Sequence, residues 1–518
     1  MEYGLVIAIG ALALVAVSEL LALRVGLPAA VVQTALGLAL AFISGIPSIR
    51  LNPEFVLKVI LPVLVYAAAV ELPWDAFRRN IGPIATLAFG LVIATVAAVA
   101  AVIHFLIPSW SWPAALVVGA IVSPTDPVAI TAVASRLGVP HRLVAIVEGE
   151  GLVNDAVALT IKTIALAALI TGHASMGAAV ARFFAIVVGE IGWGWLVGWI
   201  FAVIRRRIED SSTEIAISLL TPFAAYLIPQ ALGGSGVLAT VAAGMYIGEK
   251  RPELVPYGTR LHLASVWQVI VYALNGVLFL LTGLQFRSIW FESRVGAGHV
   301  LLYGSAVAGT AVALRICWTW AAVWLRRLIV TAFHRGDSVL PWRHVAFIAW
   351  SGMRGSISLA AALSLPAATD LTNPVVFITA FVIAVTLMLQ GATLPILIRL
   401  LRLDRDAHAE RAKLQKCEAE ARRGTAAAAL AMLEPEQGPV ADQIKRRYRT
   451  VARAAEPSGS GEQVDKEAAL RQRAISAERQ HVIQMHRNGE IPELVLRRIE
   501  RELDLEEALL KARTEPPG

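Results

Sequence analysis

Three short strings of ionisable residues stand inside otherwise apolar sequence, and their spacing suits chemistry on a cation or a proton. The first is Ser123-Pro124-Thr125-Asp126-Pro127. Each proline removes a backbone donor and disfavours helix at the residue before it. The chain is therefore expected to unwind around Thr125 and Asp126. Unwound backbone at membrane depth is tolerated where it lines a cavity or is buried in protein, and its freed carbonyls can coordinate a cation. The plainer reading is a proline kink with Asp126 capping the next half-helix. Capping and ion handling can coexist.

The second string is Glu148-Gly149-Glu150-Gly151-Leu152-Val153-Asn154-Asp155. Three carboxylates in one apolar stretch are expensive unless paired or hydrated. Helical spacing sorts them: Glu150 and Asn154 share a face, Gly151 and Asp155 lie on the adjacent stripe, and Glu148, Asp155 and Lys162 recur every seven residues. Asp155 lies about 20 Å along the helix from the loop at Arg142, near the middle of a bilayer. A carboxylate held there can carry either a proton or a metal ion, the core requirement of an exchanger. A purely structural salt-bridge network is the bland alternative, and it leaves unexplained why Asp126 and Asp155 occur together with an unwinding signal.

The third string is Trp350-Ser351-Gly352-Met353-Arg354-Gly355-Ser356. Glycines on both sides of an arginine suggest a second broken helix or a close helix crossing. Arg354 calls for a buried anion, with Glu150 the first choice and Asp155 the second. The two interrupted segments fall in similar places in the two halves of the chain, a pattern that points to inverted repeats around a midplane site.

The elements that must position these residues follow from composition. The 518 residues are 57% hydrophobic and 16% charged, with mean hydropathy +0.64, and about half of the charges lie after Leu401. The preceding 400 residues are too apolar for a water-facing surface. This excludes a soluble globular enzyme, a secreted disulfide scaffold and a disordered protein. Cys317 and Cys417 lie in an apolar segment and in the charged tail, so a disulfide is not expected. The apolar N-terminus is expected to be a first membrane helix and not a removed signal.

Apolar stretches long enough to cross a bilayer fall near 4–23, 27–44, 55–71, 83–107, 113–134, 142–170, 180–204, 213–230, 235–248, 264–284, 298–325, 343–365 and 374–401. The expected fold is thus an all-α polytopic membrane protein of about thirteen transmembrane helices. The ninth span is short enough to be broken or tilted. Loops after odd-numbered spans carry about fifteen Lys and Arg, and loops after even-numbered spans about five. The N-terminus is therefore expected outside and the tail in the cytoplasm. Domains are expected at 1–401 (transmembrane) and 402–518 (cytoplasmic, helical, with linkers at Glu434–Pro439 and Glu456–Glu462). The tail holds no phosphate loop, metal-ligand cluster or nucleotide fingerprint, so an ATP-driven pump has no support. No nucleic-acid partner and no cofactor are expected. Glu190, Arg315 and His104 read as structural or interfacial groups, Asn275-Gly276 as a packing position, and Lys162 as a carboxylate's partner or an outward-snorkelling group.

The strings SPTDPVA, EGEGLVNDA and WSGMRGSISLAAAL, in order over residues 1–400, resemble the sodium/proton exchangers of the cation–proton antiporter 1 group, most closely its bacterial branch. The resemblance implies a sodium/proton antiporter-like fold with inverted repeats and two discontinuous crossing helices, a core domain moving against a dimerisation domain, and a homodimer in the bacterial inner membrane. It implies that Asp155 binds the ion and the proton, and that Thr125 and Asp126 sit at the crossing and face the transported Na+ or K+. It implies that Asn154 marks an electroneutral member, and that Glu150 and Arg354 stabilise the core. One departure is Gly151, where many relatives carry a serine hydroxyl; a water, Ser123 or a carbonyl near Thr125 would have to replace it.

The leading expectation is antiport of Na+, with Li+ or K+ as alternatives, for H+, through alternating access and competition at Asp155. K+/H+ antiport at the same site is the runner-up. An intramembrane aspartyl protease using Asp126 and Asp155 lacks its Gly-x-Gly-Asp string. A serine protease at Gly233-Gly234-Ser235-Gly236 lacks a following histidine at similar depth, and no HExxH string occurs. A channel fits poorly with a single titratable site.

Overall fold

The computed structural model describes residues 2–43, 51–172, 175–208, 210–254, 257–292, 297–332, 340–366, 371–454, 461–488 and 490–514. Among these, every regular element is a helix. The loop positions Arg50, Arg294 and Arg335, used in the charge count above, lie outside the described residues.

Two compact units divide the chain, 1–404 and 405–518. The first begins with α1 (Glu2–Val25), α2 (Ala29–Ala41), α3 (Pro53–Glu71), the short α4 (Trp74–Arg79) and α5 (Ile81–Leu106). It continues with α6 (Trp112–Val122), α7 (Val128–Leu137), α8 (His141–Thr171), α9 (Met176–Arg205), α10 (Ser211–Ala231), α11 (Val237–Leu254), α12 (Tyr257–Glu292) and α13 (Ala297–Ala332). It closes with α14 (Trp342–Trp350), α15 (Ser356–Leu363) and α16 (Thr372–Leu401). Among the described residues eight helices, α3, α5, α8, α9, α10, α12, α13 and α16, are long and apolar enough to cross a membrane, and α2, α6 and α7 are shorter apolar helices. Length and apolarity alone therefore stop short of the expected thirteen spans. The short ninth stretch is an unbroken helix, α11.

Both expected interruptions are present. The chain leaves helical geometry at 123–127, between α6 and α7, and again at 351–355, between α14 and α15. The chemistry differs at the two breaks. Pro124 and Pro127 remove donors at the first, whereas Gly352 and Gly355 open the second. Gly355 is extended, at φ −115° and ψ −178°, as it enters α15.

Two apolar clusters hold the four half-helices. One gathers Ile130 and Val133 of α7, Phe347 and Ile348 of α14, and Ile146 and Leu394. The other gathers Val118 and Ile121 of α6, Leu359 and Ala362 of α15, and Val307 and Val375. Each half-helix is thus fixed along its length by dispersion and burial, and the non-helical backbone is confined to the two breaks. Large apolar side chains on α9, including Phe184, Val188, Trp195 and Trp199, stay exposed, as suits a lipid-facing surface.

The second unit contains the rest of α17 (Leu403–Leu433), α18 (Pro439–Ala454), α19 (Gly461–Arg487) and α20 (Glu493–Thr514). The non-helical stretch 434–438 falls at the first expected linker. Residues 455–460 of the second linker lie outside the described residues. Cys317 and Cys417 are both free thiols.

Candidate functional site

The two unwound segments meet. The Asp126 N–H donates to the Met353 carbonyl at 2.8 Å. A Cβ on Gly355 would collide with the Asp126 carboxyl group, and one on Gly352 with the Arg315 side chain. Only glycine at these two positions allows so close an approach.

Three of the four half-helix ends at the crossing are complemented by charge. Asp126 Oδ1 accepts the Val128 N–H at 2.9 Å and so caps the N-terminus of α7. At the C-terminus of α6, the Arg354 guanidinium donates to the Ser123 carbonyl. At the C-terminus of α14, Arg315 Nε donates to the Ile348 carbonyl at 3.2 Å. A carboxylate at a helix N-terminus and guanidinium groups at helix C-termini each oppose the helix dipole favourably. In a buried setting they also satisfy carbonyls that the break would leave orphaned.

Glu150 is 1% exposed. It takes a bidentate pair from Arg315, Nη1 to Oε1 at 2.5 Å and Nη2 to Oε2 at 2.8 Å. This corrects the sequence expectation that Glu150 would pair with Arg354. Arg354 meets backbone instead, and its main-chain N–H donates to Thr386 Oγ1 at 3.2 Å. The physical reason is that the carbonyls at the end of α6 carry the partial negative charge of a helix C-terminus, and Arg354, within the second break, reaches them. Arg315 reaches both Glu150 and α14 from the neighbouring α13.

Thr125, Asn154 and Glu150 form one network. Thr125 Oγ1 donates to Glu150 Oε1 at 3.1 Å. Asn154 Nδ2 donates to Thr125 Oγ1 at 2.8 Å and to the Thr125 carbonyl at 3.3 Å. The hydroxyl of Thr125 is thus committed on both its donor and acceptor sides. Ser123, one proposed substitute ligand, donates its hydroxyl back to Ala120 O at 3.2 Å.

Asp155 is different. It is 7% exposed, and its carboxylate has no hydrogen-bond partner among the described residues. It lines a cavity of about 370 Å³ together with Thr125, Asp126, Glu148 and Gly151. The same cavity is lined by Gln268, Tyr272 and Asn275 of α12 and by Glu71 at the end of α3. Asn275, expected to be a packing residue, therefore faces the cavity, while its neighbour Gly276 packs on Val15. Glu71 was not singled out from sequence because it ends an apolar stretch, where a charge is ordinary. The space beside Gly151 is filled by the Pro127 ring, whose Cγ and Cδ would lie 2.6 and 2.7 Å from a Cβ at that position.

The other polar groups inside helices are structural. Glu190 accepts from the N–H groups of Ser235, Gly236 and Leu238 at 2.5, 2.8 and 3.1 Å and from the Ser235 hydroxyl. The Gly233–Gly236 loop is thus a carboxylate-capped helix start. Lys162 donates to Ser364 Oγ at 2.5 Å, just past the end of α15, and pairs with no carboxylate among the described residues. His104 meets the Trp110 carbonyl and packs on Trp112. Among the described residues, no group of three or more His, Cys, Asp or Glu has the arrangement of a metal site.

A carboxylate without a hydrogen-bond partner among the described residues, lining a cavity beside two crossed helix breaks, has the chemistry to hold a small cation or a proton. Comparison with known proteins supplies the family. The family described as sodium/hydrogen exchanger, transmembrane, matches residues 10–400. The chain belongs to the sodium/hydrogen exchanger family. Its activity is cation/proton antiport, and it is a multi-pass membrane transporter, not an enzyme. It is 33% identical to an uncharacterised Na+/H+ exchanger of Mycobacterium tuberculosis, over 98% of this chain and 96% of that one. It is 33% identical to the sodium, potassium, lithium and rubidium/H+ antiporter of Bacillus pumilus, over 72% of this chain and 58% of that one. The fold is shared with the solved sodium proton antiporter MjNhaP1 of Methanocaldococcus jannaschii, at TM-score 0.61 and 19% identity, covering 77% of this chain and all of that one.

Proposed function

We propose that this exchanger carries Na+, with Li+ and K+ as further substrates, against H+ at a one-for-one ratio, with Asp155 holding the cation and the proton in turn. The observation that carries the reading is the unpartnered Asp155 carboxylate facing the cavity. Asp126 is tied to α7 by its capping bond, and Glu150 is neutralised by Arg315. One carboxylate is left free to switch, and a single switching charge supports electroneutral exchange. Because cation and proton compete, apparent affinity for the cation falls as pH falls.

Asp126 and the Thr125 carbonyl serve as further cation ligands from the crossing. Asn154 positions Thr125, while Glu150, Arg315 and Arg354 hold the half-helix ends so that both breaks keep their shape through alternating access. The transported ion needs no resident cofactor.

Thirteen crossings, an outside N-terminus and a cytoplasmic tail (402–518) following a transmembrane domain (1–401) are supported by the charge asymmetry of the loops. Family membership supports a homodimer in the bacterial plasma membrane.

Potassium transport has a specific observation in its favour. Gly151 offers no hydroxyl and Pro127 occupies its space, so the site has few fixed oxygens with which to select the smaller ion. The Bacillus relative's name includes potassium.

The test is proton movement in everted vesicles after Na+, K+ or Li+ is added separately, for wild type and Asp155→Asn. The proposal requires a cation response that the variant loses while it still folds and inserts. Retained exchange in the variant sinks it.

A further inference from the structure

The tail contains one helix whose chemistry differs from its neighbours. α18 (Pro439–Ala454) carries five basic residues against a single acid, Asp442. α17 and α20 carry nearly equal numbers of each sign. Helical spacing places Val440, Ile444 and Tyr448 on one stripe, with Arg447 at its edge, and Lys445, Arg446 and Arg449 on the opposite arc.

The stripe is open at its first two positions, Val440 at 70% and Ile444 at 39% exposed, and half-buried at Tyr448. This is not the rule in the tail. The α19–α20 pair buries Ile475, Val482, Leu496, Leu503 and Leu510, and Arg479 there bridges Asp504 and Glu507 at 2.9 Å each. The near end of α18 is fixed to the preceding turn, because Lys445 Nζ donates to the Glu434 and Glu436 carbonyls at 3.3 and 2.7 Å.

An apolar stripe about 12 Å long, backed by an arc of basic groups, has the build of a helix that lies in a membrane interface. Its excess of positive charge complements anionic headgroups. It is also tethered to a membrane-spanning unit, which raises the local concentration of lipid it meets. We propose that α18 is a membrane-surface anchor: it lies along a bilayer bearing anionic lipid, its Val440, Ile444 and Tyr448 stripe at the acyl boundary and its arginines on the lipid phosphates. Tail position then depends on lipid charge and ionic strength.

The full-length protein tests this in nanodiscs of phosphatidylcholine alone and of phosphatidylcholine with one-third phosphatidylglycerol. Trypsin cleavage between Lys445 and Arg449 is expected to slow by about tenfold or more in the anionic discs and to recover in 1 M NaCl. A second readout avoids protease. Ile444→Cys, with Cys317 and Cys417 replaced by serine, is labelled with an environment-sensitive fluorophore. Its emission is expected to shift to the blue in anionic discs only, and to lose that shift when Arg446, Arg447 and Arg449 are changed to glutamine. Cleavage and emission that ignore lipid charge overturn the proposal. Equal protection in both lipids also overturns it, by showing that protein covers the stripe. Protection that added RNA gives in neutral discs overturns it in favour of a general polyanion site.

Discussion

Glu150 and Arg315 provide the sharpest energetic test, because the structure joins two residues that sequence did not. Their side chains are 2% and 1% exposed, and two parallel hydrogen bonds link them. Replacing one partner leaves a buried, uncompensated charge, which costs about 3–5 kcal/mol. Glu150→Gln should cost about that much, and so should Arg315→Met, which also strips the Ile348 carbonyl of its donor. The double variant removes both charges together. What remains are the Thr125 hydroxyl and the Ile348 carbonyl with weakened partners, at about 1–3 kcal/mol. The singles sum to about 6–10 kcal/mol, so the cycle should show a coupling of at least about 3 kcal/mol. The assay is the apparent melting temperature of purified protein in detergent, by fluorescence-detected size exclusion after heating. Each single variant should melt on the order of 5–10 °C below wild type, and the double should recover most of that loss. A cycle with Arg354→Met in place of Arg315→Met should show clearly weaker coupling to Glu150. Additive losses for Glu150 and Arg315, or single variants within a degree of wild type, would refute the pairing.

Two further outcomes follow from the glycines. Gly151→Ser places a Cβ against the Pro127 ring, which belongs to the backbone and yields poorly. It should cost about 1–3 kcal/mol of stability and shift the ratio of Na+ to K+ response in vesicles, since it adds an oxygen beside Asp155; an unchanged ratio would count against Gly151 as a selectivity position. Gly355→Ala drives a methyl group into the Asp126 carboxyl group and should abolish exchange while leaving membrane insertion intact, read by transport and by expression. Normal transport in that variant would mean that the breaks do not need this close approach.

The breaks themselves were legible in the sequence because their causes are local. Pro124 and Pro127 act on their own and preceding residues, and Gly352 and Gly355 flank the residue they free. The helical sorting of Glu150 with Asn154, and of Glu148 with Asp155, was legible for the same reason: it needs only the 3.6-residue period. Which acid meets which arginine was not legible. Arg315 lies 165 positions from Glu150, and an orphan arginine in the eleventh apolar stretch is as much in need of an anion as Arg354. The backbone carbonyls at a broken helix end, which won Arg354, carry no residue-type signature at all. The α12 side of the cavity lining was missed because Gln268, Tyr272 and Asn275 are uncharged and spaced along a single long helix. Three to four residues separate each from the next, a pattern that could have marked one polar face of α12.

The most direct test of the central claim is the number of protons released when the cation binds. Isothermal titration of NaCl or KCl into purified protein, in two buffers of different ionisation enthalpy at matched pH, reads this number without any transport. At a pH where the site is protonated, competition at one carboxylate predicts release of about one proton per cation bound, by linkage, with neither binding nor release in Asp155→Asn. Cation binding that releases no proton at any pH, or an Asp155→Asn variant that binds and releases as wild type does, would contradict the account.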